Sequence, residues 1–237
     1  GSGDVRHRRR DAPGCGAGRE LAPGTSGAAH RSGSGAAIRL TLTPCGEADS
    51  RLPCTVPLAG LEMQFEIRPL TSKDAAAFQV LRLRSLRESP EAFGSSYDEE
   101  VSTPLTAVGE RLDASLTPHA RIVLGAFGDG NLIGVVGCAQ ESRMKSRHKA
   151  VIWGMYVTPE ARGHGVGRAL LDRVVAEARS WPNVERLLLS AVERANAARA
   201  LYLSAGFIPY GREVDAFRQS GRSDTLEFFG FELGNPR

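Results

Sequence analysis

The segment from Val151 to Arg168 carries the residues whose types and spacing most clearly favour chemistry. An apolar run, Val151–Val157, is typical of a strand, and Thr158-Pro159 ends it. The chain then reads Arg162-Gly163-His164-Gly165-Val166-Gly167-Arg168 and enters an amphipathic helix. Glycines let a main chain approach a ligand, and a helix N-terminus presents N–H groups and about half a positive charge. The segment therefore predicts a binding site for a phosphate or diphosphate group.

Two common phosphate-binding loops do not match this spacing. A Walker-type loop ends in Gly-Lys-Ser/Thr, whereas Gly167 is followed by Arg168 and Ala169. A dinucleotide fingerprint needs Gly-x-Gly-x-x-Gly and an acidic residue at the end of the next strand. Here the glycines alternate, and Glu185 lies at the start of the next apolar run. Neither interpretation is favoured.

A second segment narrows the choice of ligand. It runs from Glu193 to Phe207, with Asn196 opening a helix and Tyr202 preceding Gly206-Phe207. Together with the spacing Arg-x-x-Gly-x-Gly, this segment resembles the GNAT superfamily of acyl-CoA-dependent N-acetyltransferases. The resemblance covers roughly residues 63–233 and includes two motifs in the family's order.

The resemblance implies acetyl-CoA (coenzyme A) as co-substrate, with no metal, and it assigns cofactor-binding residues. Backbone N–H groups from Gly163 to Arg168 would surround the diphosphate, with side-chain charge from Arg162 and Arg168 unless these are simply solvated. His164 is expected to be an exposed loop residue. The strand-end amides would face the acetyl carbonyl, and Asn196 would reach the pantetheine, cap its helix, or do both. The full set is Met155, Tyr156, Val157, Arg162, Gly163, His164, Gly165, Val166, Gly167, Arg168 and Asn196.

Tyr202 is the predicted catalytic residue. In the family, a tyrosine at this point of the motif donates a proton to the departing thiolate, while the alternative is an ordinary aromatic packed on the sheet. A general base is not identified. Many relatives use a carboxylate on the strand before the loop, but this strand carries Trp153 and Gly154. Glu141, His148 and a water chain remain candidates.

The implied function is an N-acetyltransferase that moves an acetyl group to a primary amine of a small molecule or protein, by direct attack in a ternary complex. The alternative is a non-catalytic acyl-CoA-binding sensor or interaction module. Asp98-Glu99-Glu100 either attracts a cationic amine or forms an acidic helix start.

Composition limits the partners and the compartment. The 237 residues carry a net charge of +3, which indicates no nucleic acid partner, and no apolar run is long enough to cross a membrane. Cys15, Cys45 and Cys54 lack zinc-type spacing, and Cys138 lies in an apolar run as a small core residue. We expect a cytoplasmic protein that is a monomer or a homodimer.

The chain divides at residue 63. Residues 1–62 contain no aromatic residue, yet hold 11 of the 27 glycines and 5 of the 13 prolines. Such a segment buries too little apolar surface to offset its ordering entropy, so we expect a disordered extension. It is either a natural low-complexity extension or a tag or upstream translation that precedes Met63. Residues 63–237 are expected to form one N-acetyltransferase domain.

Apolar periodicity within residues 63–237 predicts an α/β fold with a mixed sheet. Four helices are expected, with Ser72 as a possible cap of the first, at 74–87, 104–114, 166–180 and 196–205. Seven strands are expected at 64–68, 121–127, 132–140, 150–157, 186–192, 207–214 and 225–233. The resemblance implies a mostly antiparallel seven-stranded sheet whose two central parallel strands splay apart.

Overall fold

A computed structural model describes residues 63–219 and 221–234. The predicted extension at residues 1–62, with its three cysteines, lies outside the described residues. Seven strands are present: β1 (Glu66–Pro69), β2 (Arg121–Gly128), β3 (Asn131–Gln140), β4 (Lys149–Val157), β5 (Arg186–Val192), β6 (Ile208–Gln219) and β7 (Arg222–Glu232). The described α-helices are α1 (Ala75–Glu88), α2 (Tyr97–Glu100), α3 (Leu105–Ala114), α4 (Val166–Arg179) and α5 (Asn196–Ser204).

The strands form one seven-stranded sheet in the order β1-β2-β3-β4-β5-β7-β6. Every neighbouring pair is antiparallel except β4 and β5, which are parallel. This arrangement confirms the predicted mixed sheet with a central parallel pair. The crossover from β4 to β5 runs through α4, as a parallel connection requires.

Alternating side chains of the central strands divide the core between the two faces of the sheet. Leu124 and Val136 pack with α4 and with Tyr202 of α5, whereas their neighbours Val123 and Val135 pack with α1 and α3. Period-two alternation of buried residues produces two separate cores in this way. Cys138 is fully buried in the α4 core, as its sequence context predicted.

The helix that was predicted to begin near Ser72 has a different cap. Thr71 is the cap of a short 3₁₀ turn: its hydroxyl accepts from the Lys73 N–H, and the Asp74 carboxylate accepts from the Thr71 N–H at 2.9 Å. Asp74 also receives a bidentate pair of hydrogen bonds from Arg68, at 2.9 and 2.7 Å. The cap lies one residue earlier because a 3₁₀ turn precedes α1.

Three elements differ from the sequence prediction by more than two residues. Four-residue α2 is additional; its cap is Ser96, which forms a reciprocal capping box with Glu99. Strand β6 ends later and strand β7 begins earlier than the apolar pattern predicted, at Gln219 and Arg222. Asp215, with φ 60°, lies at a register shift in β6. Ladder pairing at the sheet edge stabilises polar residues that carry no apolar alternation.

No helix among the described residues is long and apolar enough to cross a membrane.

Candidate active site

The parallel strands β4 and β5 separate at their carboxyl ends. They pair only from Lys149 with Arg186 to Val151 with Leu188, although β4 continues to Val157 and β5 to Val192. The edge of β4 that faces β5 therefore lacks a ladder partner over its second half. Unpaired main-chain groups in such a gap are available to a ligand. The expected splay is confirmed.

A β-bulge lies in the same half of β4. Trp153 is opposite Gly137 and Tyr156 is opposite Val135, so Gly154 and Met155 together oppose a single residue of β3. Gly154 has φ 64°, a left-handed conformation that glycine adopts without strain. The bulge redirects the main chain of Met155–Val157, whose amides were predicted to face the acetyl carbonyl. An isolated glycine in an apolar strand was the available signal for it.

The glycine loop forms an open N-terminus for α4. Gly163 and Gly165 have φ 80° and 81°, and no atom lies within 4 Å of a Cβ built on either residue. Gly165 is the N-cap and no side chain caps the helix, so the first N–H groups of α4 have no intrahelical partner. Val166 is buried and fixes the helix start on the core. These features fit the diphosphate of coenzyme A in the loop.

The charged side chains of the loop have different surroundings. Arg162 donates from Nε to the Val157 carbonyl oxygen at 3.0 Å and lies 5.7 Å from the centre of the Tyr156 ring. His164 is exposed, with Nδ1 3.0 Å from the Arg162 carbonyl oxygen. Arg168 Nε donates to both carboxylate oxygens of Asp172 at 2.9 Å. The loop therefore offers a ligand its main-chain N–H groups, because the Arg162 and Arg168 side chains have partners within the protein.

Tyr202 lies beside the splayed part of β4. Its hydroxyl is 3.7 Å from the Met155 sulfur, and its ring packs on Phe207 and Phe229. Burial raises the pKa of the Tyr202 hydroxyl to about 12. The hydroxyl therefore keeps its proton at neutral pH, which a general acid requires.

Asn196 is at the first position of α5, not at its cap. The N-cap is Ala195, and no side chain caps the helix, because the turn after β5 is closed by main-chain bonds, including Ala195 N–H to the Val192 carbonyl at 2.8 Å. The prediction that Asn196 caps its helix is therefore wrong. Its side chain is exposed, and the contact with pantetheine stays a prediction.

Sequence reasoning missed Glu88, at the end of α1. Its carboxylate accepts a hydrogen bond from the Tyr156 hydroxyl and one from Arg84 Nε at 2.6 Å. These two donors lower the pKa of Glu88, while burial and the Glu88 contact raise the pKa of Tyr156 to about 12. Apolar periodicity predicted helix α1, but no sequence signal indicated that its last residue, Glu88, contacts Tyr156 of β4.

The candidate bases Glu141 and His148 lie at the wrong end of the sheet. Glu141 follows β3 and donates its N–H to the Lys149 carbonyl, and the His148 carbonyl accepts from Glu185 and Arg186. His148 precedes Tyr156 by eight residues, about 26 Å along an extended strand. This separation places both far from Met155–Val157, so water is the remaining one of the three predicted candidates.

A cavity of about 350 Å³ lies on the α1 face of the sheet and reaches the bulge at Trp153 and Gly154. The acidic stretch was expected either to attract a cationic amine or to form an acidic helix start, and two of its carboxylates are engaged by neighbouring groups. The Glu99 carboxylate accepts from the Ser96 N–H at 2.6 Å, and Glu100 pairs with Arg82 at 2.7 Å. The acidic residues therefore support the start of α2 and an ion pair, because capping and pairing occupy their oxygens.

Among the described residues, no group of His, Cys, Asp and Glu is arranged to hold a metal ion.

A splayed parallel pair beside a glycine loop and a buried tyrosine defines an acyl-CoA-dependent transferase. The sequence model of the acetyltransferase (GNAT) family matches residues 83–207, and the chain belongs to that family. It is an acetyltransferase with acetyl-CoA as co-substrate and an amine as acceptor. No curated protein sequence matches this chain.

Solved structures share the fold. A GNAT-family acetyltransferase from Streptococcus pneumoniae is 22% identical, with a TM-score of 0.67 over 72% of this chain and 100% of that one. A ribosomal-protein-alanine N-acetyltransferase from Brucella melitensis is 26% identical, with a TM-score of 0.62 over 70% and 99%. A phosphinothricin acetyltransferase from Sinorhizobium meliloti, in complex with acetyl-CoA, is 20% identical, with a TM-score of 0.63 over 73% and 90%.

Proposed function

We propose that residues 63–237 form a catalytic domain that transfers the acetyl group of acetyl-CoA to a primary amine, by direct attack in a ternary complex. The observation that carries this proposal is the meeting of two spaces at the β4 bulge. The splay between β4 and β5 opens beside Met155, and the 350 Å³ cavity reaches Trp153 and Gly154 of the same strand. An amine in the cavity and a thioester in the splay would share one short stretch of main chain.

The proposed roles follow from the geometry of each group. The N–H groups from Gly163 to Arg168 bind the diphosphate, because the helix N-terminus leaves them unpaired. The amides of Met155–Val157 donate to the thioester carbonyl oxygen, where a well-placed donor lowers the barrier by about 3 kcal/mol. Asn196 contacts the pantetheine amides.

The proton balance involves two groups. The amine nitrogen attacks the carbonyl carbon and loses its extra proton to water, which is the base in this proposal. When the carbon–sulfur bond breaks, Tyr202 donates its proton to the departing sulfur, and a proton from solvent then restores the Tyr202 hydroxyl. The Tyr202 hydroxyl lies 3.7 Å from the Met155 sulfur, so it is next to the strand whose amides hold the carbonyl.

A thiol-release assay with acetyl-CoA over a panel of amines tests the function. The panel contains amino acids, amino-acid amides, diamines and peptides with N-terminal alanine, since the Brucella protein is named for a ribosomal protein's alanine. We expect amine-dependent release of thiol and a product heavier by one acetyl group in mass spectrometry. Tight binding of acetyl-CoA without turnover on any amine would contradict the proposal and favour an acyl-CoA sensor.

A further inference from the structure

The cavity beside the β4 bulge has a lining of two kinds. One part is apolar and aromatic, from α1, α3 and the sheet: Phe78, Val108, Leu112, Val123, Val135 and Trp153. The other part is charged and consists of Arg82, Arg111, Arg121 and Glu100. Three guanidinium groups therefore face a single carboxylate, an excess of two positive charges.

The single carboxylate of the cavity is already neutralised. Glu100 accepts from Arg82 Nη2 at 2.7 Å and from Arg82 Nε at 3.2 Å, and both side chains are largely buried. Burial alone would raise the pKa of Glu100, but the Arg82 hydrogen bonds and charge and the charge of Arg111 leave it below its ordinary value. Glu100 is thus a charged, occupied partner of Arg82 and offers little to a cationic ligand.

The remaining charge of the cavity comes from Arg111 of α3 and Arg121 at the start of β2. Within residues 63–219 and 221–234, neither side chain forms an ion pair. Both are exposed residues that line the same cavity. A guanidinium next to apolar walls attracts a carboxylate and binds it through paired N–H donors.

In the sheet, the positive charge of Arg121 lies at a distance from the β4 bulge, where the reaction is proposed to occur. Arg121 is opposite Ala139, which is opposite Val151, so Arg121 lies two strands from β4 and three residues short of Gly154. Strand spacing and rise place the two Cα atoms about 14 Å apart. Both residues line the cavity, so a small ligand bound at Arg121 can extend across the cavity toward Gly154.

We propose that the acceptor is a small amine with an apolar body and a carboxylate, such as an apolar amino acid, and that Arg111 and Arg121 bind the carboxylate. The proposal rests on the proposed function, since it takes the cavity as the acceptor site. A volume of about 350 Å³ is at the lower end for ligand sites and suits a molecule of this size.

The test compares acids with their amides. Phenylalanine and leucine are measured against phenylalaninamide and leucinamide, for binding by calorimetry with coenzyme A present and for kcat/KM in thiol release. The amide's amino group loses its proton more easily, so a preference for the acid does not come from amine reactivity. We expect the acids to bind at least tenfold more tightly, as for a charge-assisted hydrogen bond.

Variants assign that preference to the two arginines. Arg111→Gln with Arg121→Gln is expected to reduce the acid-to-amide ratio to about one, while lysine at both positions restores part of it because the charge returns. Arg143→Gln, on an exposed loop outside the cavity, is the matched control and keeps the ratio.

Two results would overturn the inference: equal or tighter binding of the amides to the unaltered protein, or an unchanged ratio in the double glutamine variant. Binding separates this inference from the proposed function. Acids that bind preferentially, while no amine of the panel is acetylated, would support the anion site and contradict the transferase reaction. Acetylation of panel amines by a protein that binds the amides as tightly as the acids would support the transferase reaction and overturn the inference about the acceptor.

Discussion

The Tyr202 side chain is buried, and its hydroxyl lies next to strand β4. Its hydroxyl has the Met155 sulfur as its described neighbour, and burial raises its pKa to about 12. A phenol that keeps its proton at neutral pH, beside the strand proposed to bind the acetyl carbonyl, is suited to protonate a thiolate. An aromatic ring packed for stability alone would not need the hydroxyl.

Replacing Tyr202 with Phe removes the proton donor but keeps the ring packing on Phe207 and Phe229. We expect kcat to fall by about 10²- to 10⁴-fold while the affinity for coenzyme A changes little. Steady-state kinetics and calorimetry measure the two quantities. Tyr210→Phe, at an exposed position of β6, is the matched control with unchanged kcat. An undiminished kcat for Tyr202→Phe would remove this residue from the mechanism.

The Asp74 carboxylate stabilises the folded protein through its ion pair with Arg68. The hydrogen bonds from Arg68 lower its pKa from 3.8 to about 2, so the folded state favours the carboxylate. A depressed pKa stabilises the protein above the unfolded value of 3.8, and this stability is lost as the pH falls through about 2. The free energy involved is about 2 kcal/mol at neutral pH.

Asp74→Asn is therefore expected to lower the free energy of unfolding by about 2 kcal/mol at pH 7, and by roughly half as much at pH 3. Urea unfolding at both pH values measures this difference. Asp172→Asn, which breaks an exposed ion pair with Arg168, is the control and should change stability far less. Equal deficits for Asp74→Asn at pH 7 and pH 3 would show that the ion pair is not the cause.

At the scale of elements, the glycine loop and α4 act together. The loop has its glycines at φ 80° and 81° and leaves the helix N-terminus open, while buried Val166 and Leu170 hold α4 on the sheet. The proposed binding site thus consists mainly of main-chain atoms at the start of a packed helix, so we expect side-chain identity at the loop to matter chiefly through size, charge and backbone conformation.

Gly165→Glu places a carboxylate where the diphosphate is proposed to bind. We expect coenzyme A binding to become undetectable by calorimetry, because like charges would repel in the cradle. Gly130→Glu is a matched control: this glycine has φ 77°, equally open surroundings and a position in the β2–β3 turn. The strain of the two substitutions is similar, so the loss should occur only at Gly165. Comparable affinity in both variants would refute the loop assignment.

Much of this element arrangement could be predicted from sequence, and the misses have physical reasons. Apolar periodicity located seven strands and four longer helices, since buried faces impose it. It missed α2, whose single turn depends on the Ser96 capping box, and it shortened β6 and β7, where polar residues pair at an edge. For the site, glycine spacing indicated the loop. Contacts between distant segments, such as Glu88 with Tyr156, left no local signal.

For the whole molecule, the candidate-site elements that the structure describes lie within residues 63–219 and 221–234. All seven strands, both cores and the loop lie within residues 63–234. Deleting residues 1–62 should therefore shift the melting temperature by no more than a few degrees and leave kcat/KM nearly unchanged. Calorimetric melting and the thiol-release assay check this. A large loss of either would show that the extension is a structural part of the domain.

The most direct test of the account is a crystal structure of the protein with coenzyme A. We expect the diphosphate oxygens to lie within about 3 Å of the backbone nitrogens between Gly163 and Arg168, as in ordinary hydrogen bonds. We also expect the pantetheine to lie in the gap between β4 and β5, near the Tyr202 hydroxyl. A diphosphate bound elsewhere, or a pantetheine outside that gap, would contradict the account.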